Sequence, residues 1–515
     1  MREDSLPAEA AAAEEVAPSR HDPVVAGASR VVGGPRGRHA TGRGSRWWTP
    51  VRAVLVLTVL TSVLGFLAKA PCRTHAWTDE YQYTRACYTD VYALYFAEDL
   101  GSGPGGSRIS VPYRDHPVEY PAVIGGLMWT AAELTNAVRP HDPQSTPAGV
   151  VDERGRTFFD ITALLLAAFA LLTTWAVARL AGRPRVWDAA MVALAPTLLF
   201  HLYTNWDLAA VGLATLAMWA WTRTSWPHRL GPAVSGLLLG VAVATKLYPL
   251  LILLAILALC WRARQLVPGL IALAGTVVGF VLAYLPAWLL TNSFRFPDPT
   301  CPGGHSLSAW RWFWSLNQTR GADWDSLWFQ LEHARGSPLD QVQCGQAPFW
   351  LNTWVALATL AVVAAVLVLV LAAPRRPRLP QVAFLLVAGF LLVNKVDSPQ
   401  YVLWLVPLAV LARPRWPAFL VWQAAEVALL FARFYFFVGN DRPNQGVPIG
   451  VFFATVWVRD VALIVVMALV VREILRPHRD VVRAGGVDDP AGGVLDGAPD
   501  RWEAEPPRLP EPAPA

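Results

Sequence analysis

Charge is what this sequence has least of. Only 16% of its 515 residues are Asp, Glu, Lys or Arg, whereas soluble domains carry about 25%. With 54% hydrophobic residues and a mean hydropathy of +0.36, the chain has too little polar surface to clothe a water-facing globule. Histidine and cysteine are sparse as well, and neither recurs at a spacing that suits a metal ion; no metal is expected. No segment expected to face the cytoplasm has a phosphate-binding glycine loop. That argues against an ATP-driven pump and against a cytosolic nucleotide-sugar site. The formal charge of +5 does not point to nucleic acid, because the arginines lie mostly in short loops between apolar runs, where the positive-inside rule puts them.

What the sequence does have is apolar runs of roughly 18 or more residues, recurring from Val51 to Val471. They predict an all-α polytopic membrane protein of about twelve transmembrane helices, with both termini in the cytoplasm and any chemistry at the outer face. Residues 1–50 form a basic tail, with Arg20, Arg30, Arg36, Arg38, Arg43 and Arg46 among Gly, Ala and Pro, and should be disordered. Their charge holds the N-terminus inside, so Val51–Ala70 is read as an uncleaved anchor crossing outward. Pro268–Leu290 also crosses outward, into a large outer loop over residues 291–348. Spans then alternate through 349–471 between the basic turns Arg375–Arg378 and Arg413–Arg415, and residues 472–515 read as a disordered Pro- and acid-rich cytoplasmic tail. In the N-terminal half, the basic segments Arg179–Arg185 and Arg223–Arg229 belong inside, with spans at Phe158–Ala178, Ala189–Tyr203 and Leu208–Trp221. Residues 70–157 must then begin and end outside, so the apolar stretch Ala122–Leu134 is expected to be a juxtamembrane or re-entrant helix, buried by protein. The same reasoning bends Gly231–Cys260 into two short helices meeting near Lys246-Leu247-Tyr248-Pro249.

Cys72 and Cys87 share the first outer loop, and Cys301 and Cys344 share the large one, which suits two disulfides in an oxidising compartment. The first loop also holds Trp77-Thr78-Asp79-Glu80-Tyr81, Tyr88-Thr89-Asp90-Val91-Tyr92 and His116-Pro117-Val118-Glu119-Tyr120-Pro121. Carboxylates interleaved with Tyr and Trp suit a sugar, aromatic faces stacking on its apolar side while carboxylates accept hydroxyl protons; an interfacial aromatic belt with solvated acids is the plainer alternative. Asp207 sits in a tight outer turn, where it serves function or caps the next helix. Lys246 lies within an apolar stretch, where an ionisable group would meet an anion such as a lipid phosphate, or snorkel. The turn Asn394–Tyr401 offers Gln400, and the large loop offers His305, Arg320 and Trp310-Arg311-Trp312-Phe313-Trp314, which would bind a phosphorylated headgroup or simply anchor at the interface. Glu426, Arg433, Arg459 and Asp460 fall inside later spans, where they would pair with one another or line a polar path.

Asp90-Val91-Tyr92, followed by Leu100 and Gly103, Pro112-Tyr113 and Tyr120-Pro121, resembles the first-loop pattern of GT-C membrane glycosyltransferases, especially glycosyltransferase family 87. Asn205-Trp206-Asp207, Lys246-Leu247-Tyr248-Pro249 and Ser398-Pro399-Gln400-Tyr401 are similar to that family's core, and the likeness runs over roughly residues 50–470. Ala122 departs from the pattern, standing where the family has a second proline. The resemblance implies a GT-C-like module over 51–290, with interfacial helices and the catalytic groups in its first outer loop, 70–157. It further implies an inverting enzyme that moves a sugar, mannose first among candidates, from a polyprenyl-phosphate donor to an envelope lipid or glycan acceptor at the plasma membrane. Asp90 would be the general base, with Asp79 and Glu80 as competitors and Asp207 orienting; Tyr92, Glu119, Tyr120 and Gln400 would contact substrate. Lys246, with Arg320 or His305, would offset charge on the departing phosphate. The lipid carrier supplies the activated sugar, so no cofactor is called for. A transporter or lipid flippase is the alternative, and a non-catalytic envelope scaffold a third; the transporter predicts symmetry between halves, which the sequence does not display.

Overall fold

The computed structural model describes residues 22–31, 47–75, 77, 80–101, 110–140, 148–291, 295–297, 306–342, 345–442 and 444–500. It is 74% helical, and the described strands amount to one antiparallel pair, Arg295–Pro297 against Ser306–Ser308, with Phe296 opposite Leu307. Six helices are long and apolar enough to cross a membrane: Pro50–Thr74, Glu153–Leu180, Leu266–Leu290, Phe349–Ala372, Trp416–Asn440 and Ile449–Leu475. They mark a membrane protein. Five further apolar helices are shorter, namely Asp207–Trp221, Leu230–Val243, Pro249–Arg262, Leu379–Val393 and Pro399–Ala412. At 1.5 Å per residue such helices reach only about 21–23 Å, less than the roughly 30 Å hydrocarbon layer. The expected count of about twelve spans is therefore not what helix length gives. The expected span Ala189–Tyr203 is also broken, into Ala189–Ala193 and Pro196–His201. Pro196 has no amide to return to the preceding turn, so the helix restarts there.

Two features set the site's frame. Leu230–Val243 and Pro249–Arg262 meet in a turn at residues 244–248, and Pro249 opens the second helix at a position where its missing N–H costs nothing. Leu230–Val243 also lies unusually close to Leu266–Leu290. A Cβ on Gly236 would collide with the Ala272 carbonyl, one on Gly240 with the Thr276 carbonyl, and one on Gly279 with the Leu237 carbonyl. Small residues every fourth position let two helix backbones touch in this way. The stretch expected to be juxtamembrane or re-entrant forms the helix Ala122–Val138, whose Ile124, Met128, Ala131 and Ala132 are buried against protein. Its second residue donates from the Val123 amide to the Ala244 carbonyl at 3.1 Å, tying the first loop to the turn that carries Lys246.

The tails depart from expectation. Pro23–Val31 is helical, and the Asp22 carboxylate before it accepts from the Trp416 amide at 2.9 Å. More extensively, residues 477–500 fold back over the arginine-rich end of the bundle. Asp480 accepts from Arg378 at 2.7 Å while Arg378 also donates to the Leu411 and Ala412 carbonyls. Asp500 accepts from Arg262 at 2.7 and 2.8 Å and from the Arg376 amide at 2.7 Å. Asp489 caps the start of Leu379–Val393 by accepting from the Leu379 amide at 2.7 Å, and the Trp221 indole donates to the Gly492 carbonyl at 2.6 Å. The expectation of a disordered tail failed here because composition hides partnership: the acids that make 477–500 look soluble are the counter-ions of buried arginines. Residues 1–21, 32–46 and 501–515 lie outside the described residues.

Both side chains of the Arg378–Asp480 pair are 1% exposed. Asp480→Ala should strand the guanidinium and cost about 3–5 kcal/mol of stability, read as an earlier thermal transition of the detergent-solubilised protein. Arg375→Ala should change little, because that side chain meets Asp488 while 46% exposed. Equal transitions for the two variants would refute the view that the tail neutralises buried charge.

Candidate active site

The first loop is held by three ties before it reaches Asp90. Cys72 and Cys87 are disulfide-bonded, with Cα atoms 5.6 Å apart. Thr89 caps the helix Asp90–Ala97, its hydroxyl accepting from the Val91 amide and donating to the Tyr203 carbonyl at 2.7 Å. The Asp90 amide itself donates to the Thr204 carbonyl at 2.7 Å. Asp90 is thereby fastened to the turn 203–207, and its carboxylate sits in the first turn of a helix, the end that favours negative charge.

Two phenols hold that carboxylate. Tyr88 donates to Oδ1 at 2.7 Å and Tyr120 to Oδ2 at 3.4 Å. Burial pushes the Asp90 pKa up to about 6; the Tyr88 hydrogen bond opposes this, nearby Glu119 adds to it, Lys246 opposes it and Asp207 adds to it. A carboxylate that is poorly solvated and titrates near 6 is largely ionised at neutral pH and well placed to accept a proton.

Beside it lies a second pair. Asp207 is fully buried, and Lys246 Nζ stands 2.8 Å from its Oδ1. The alternative of Asp207 as a helix cap fails, because Trp206 is the cap residue and the Asp207 carboxylate meets Lys246 instead. Lys246 is not deep in a span either; it occupies the turn between two short helices, where its charge lies 4.9 Å over the Tyr120 ring and 5.6 Å over Tyr401. Tyr120 packs edge-on to Trp206, and Tyr401 stacks on Trp404 at 4.0 Å. Glu119 is one-third exposed and faces Arg320 at 3.9 Å, with its amide donating to Glu98 at 3.3 Å.

The structure therefore brings together Asp90, Tyr120, Glu119, Asp207, Lys246 and Arg320, with Gln400 on the wall of an adjoining cavity that Tyr88 also lines. It does not bring in Tyr92, which is buried against Phe96 and over Gly155. Glu80 turns to Arg442 at 3.6 Å. Asp79, Cys301, His305 and Cys344 lie outside the described residues. The ionisable groups in later spans pair locally: Arg459 meets Asp397 at 2.8 Å and Asp460 at 2.6 Å, and Arg433 meets Asp325 at 2.7 Å. No cluster of three or more His, Cys, Asp or Glu able to hold a metal occurs among the described residues. Sequence reasoning missed Lys69 and His201. The signal for Lys69 was available, since it lies within the apolar run of the first span at the end opposite the basic tail, one turn before Arg73.

An apolar helical bundle with a phenol-held carboxylate, a lysine–aspartate pair and aromatic faces gathered around them defines a membrane protein with a polar, aromatic-lined site. The model of glycosyltransferase family 87 matches residues 156–394, the same family that the sequence motifs resemble. The match takes in Asp207, Lys246 and Arg320 and begins after Asp90; it supports a glycosyltransferase, and so an enzyme. No curated protein matches the chain.

If Asp90 must be ionised to act, activity falls as pH drops through about 6. Removing the Tyr88 donor destabilises the carboxylate, so Tyr88→Phe should move the acid limb of kcat/KM to higher pH while activity at alkaline pH changes less. A limb that stays in place would mean that another group controls it.

Proposed function

We propose that the protein is an inverting GT-C-type glycosyltransferase. It takes a sugar, mannose first, from a polyprenyl-phosphate donor and gives it to a lipid or glycan acceptor at the outer face of the plasma membrane, both termini being cytoplasmic. The observation that carries this reading is the Asp90 carboxylate, held by Tyr88 and Tyr120 with its pKa pushed up to about 6.

Asp90 accepts the proton of the acceptor hydroxyl as that oxygen attacks the anomeric carbon. The new C–O bond forms on the face opposite the departing phosphate, the bond from C1 to the phosphate oxygen breaks, and the lipid phosphate leaves with the electron pair. A single displacement of this kind inverts the anomeric centre. Lys246 is neutralised by Asp207 at 2.8 Å, so this pair fits a positioning role better than that of the main counter-charge. It holds Tyr120 in place through the cation over its ring. Glu119 and Arg320 lie on the more exposed side, suited to a sugar's hydroxyls.

The test is transfer of radiolabelled mannose from polyprenyl-phosphate mannose to membrane lipid acceptors. Wild type should transfer, and Asp90→Asn should lose roughly 10²- to 10⁴-fold in rate, the worth of a general base. Full activity in Asp90→Asn would remove Asp90 from the chemistry. Absence of transfer by folded wild type would remove mannose as the sugar.

A further inference from the structure

A cavity of about 200 Å³ is walled in part by Tyr88, and its lining includes Lys69, His201, Arg433, Phe434 and Gln400. Three of its wall residues are basic and none is acidic. Their charge is unequally spent. Arg433 is committed to Asp325 at 2.7 Å. Lys69 is only 3% exposed and donates to the Tyr88 carbonyl at 2.5 Å and to the Thr204 hydroxyl at 3.4 Å, both uncharged acceptors. Among the described residues no carboxylate stands within ion-pair distance of it. His201 is also 3% exposed, and its Nδ1 has no hydrogen-bond partner among the described residues. A buried ammonium without a directly bonded counter-ion is costly; Lys246, Arg262, Arg378 and Arg459 each meet an acid, whereas Lys395, like Lys69, is held by uncharged acceptors.

We propose that this cavity is a phosphate-ester site, in which Lys69, assisted by His201 and Arg433, takes the anionic group of a lipid-linked substrate. Phe434 and Leu430 supply an apolar wall, which suits an ester carrying a hydrocarbon chain. The proposal rests on the glycosyltransferase reading for its substrate class, and it replaces Lys246 and Arg320 as the main phosphate ligands. Tyr88 connects the site to catalysis: its carbonyl accepts from Lys69 while its hydroxyl donates to Asp90. Anion binding at Lys69 therefore acts one residue away from the proposed base.

The experiment uses the full-length protein in detergent and three probes, geranyl phosphate, geraniol and inorganic phosphate, with binding read by titration calorimetry. Geranyl phosphate should bind, and Lys69→Met should weaken it by about tenfold or more, the worth of a hydrogen bond to a charged group. Lys69→Arg should recover most of the loss. Leu430→Trp, which narrows the cavity and leaves every charged residue in place, should weaken geranyl phosphate as Lys69→Met does. Inorganic phosphate binding as tightly as geranyl phosphate, and equally dependent on Lys69, would support the anion site and name a free anion as its occupant. Tighter geranyl phosphate than either control assigns it to the lipid ester. Unchanged affinity in both Lys69→Met and Leu430→Trp, or no binding of either phosphate by wild type, overturns the proposal. Because binding needs no turnover, its failure is separable from that of the reaction: Lys69-dependent binding without sugar transfer refutes the transferase reading alone. Transfer with kcat and KM unchanged in Lys69→Met refutes the site alone.

Discussion

The Lys246–Asp207 pair is the contact on which the arrangement around Asp90 depends. It joins two turns from different parts of the chain, 203–207 and 244–248, at 2.8 Å in a place where Asp207 has no access to water. Either charge alone would be intolerable there, so each fixes the other. Everything near Asp90 is attached to one of these turns. The Asp90 amide and the Thr89 hydroxyl bind the first, and the helix that follows Tyr120 binds the second through Val123. The carboxylate, its two phenols and the lysine thus form one unit, although they come from segments more than a hundred residues apart in sequence. The pair's energy matters less than its uniqueness: no other pairing of these turns would satisfy both ions.

That requirement of paired charge organises the opposite end as well. Arg262 and Arg378 are each drawn into the bundle and each met by an aspartate from the last segment of the chain. Between the two ends, packing is left to small residues. Gly236, Gly240 and Gly279 allow Leu230–Val243 to rest on the neighbouring helix with backbones in contact. Close backbone contact gives a stiff support for the turn carrying Lys246, and a bulky residue at any of these glycines would push that turn away from Asp207. The geometry of the site therefore depends on apolar contacts at a distance from it.

How much of this could be read beforehand followed from how local each signal is. Apolar runs declare helices, and the break near Pro249 was legible because a proline and a lysine both resist a continuous span. That the acids and aromatics of the first loop would lie side by side was legible from their alternation, and Tyr88 and Tyr120 do meet Asp90. What could not be read was the partner of each charge. Asp207 was open between cap and function until Lys246 appeared beside it, and Tyr92, two residues from Asp90, points to Gly155 because helical geometry turns it away from its neighbour's face. The tail was misread for the same reason, since Asp480 and Asp500 resemble solvated acids until their arginines are seen. Helix length was the other failure: several apolar stretches fold as helices too short to cross alone, because prolines and turns interrupt them at places that hydropathy does not register.

The first loop also contains a buried cluster, and its members titrate in ranges different from that of Asp90. Ser110 and His116 Nδ1 are 2.6 Å apart, and His116 Nε2 lies 4.0 Å from Glu98. By distance the last contact is an ion pair. Burial argues otherwise, pushing His116 down to about 4 and Glu98 up to about 8, so near neutral pH both are uncharged and the contact is a neutral one. The two groups oppose each other in their effect on stability. His116 prefers the neutral form in the folded loop, and its contribution is lost as pH falls from its ordinary value near 6.5 through about 4. Glu98 prefers the protonated form, and its contribution is lost as pH rises from about 4.5 through about 8. Between those limits the cluster carries little charge of its own. Of the three groups, only Asp90 changes charge around pH 6, so a neutral scaffold holds the Glu119 backbone while the carboxylate next to it remains free to exchange a proton.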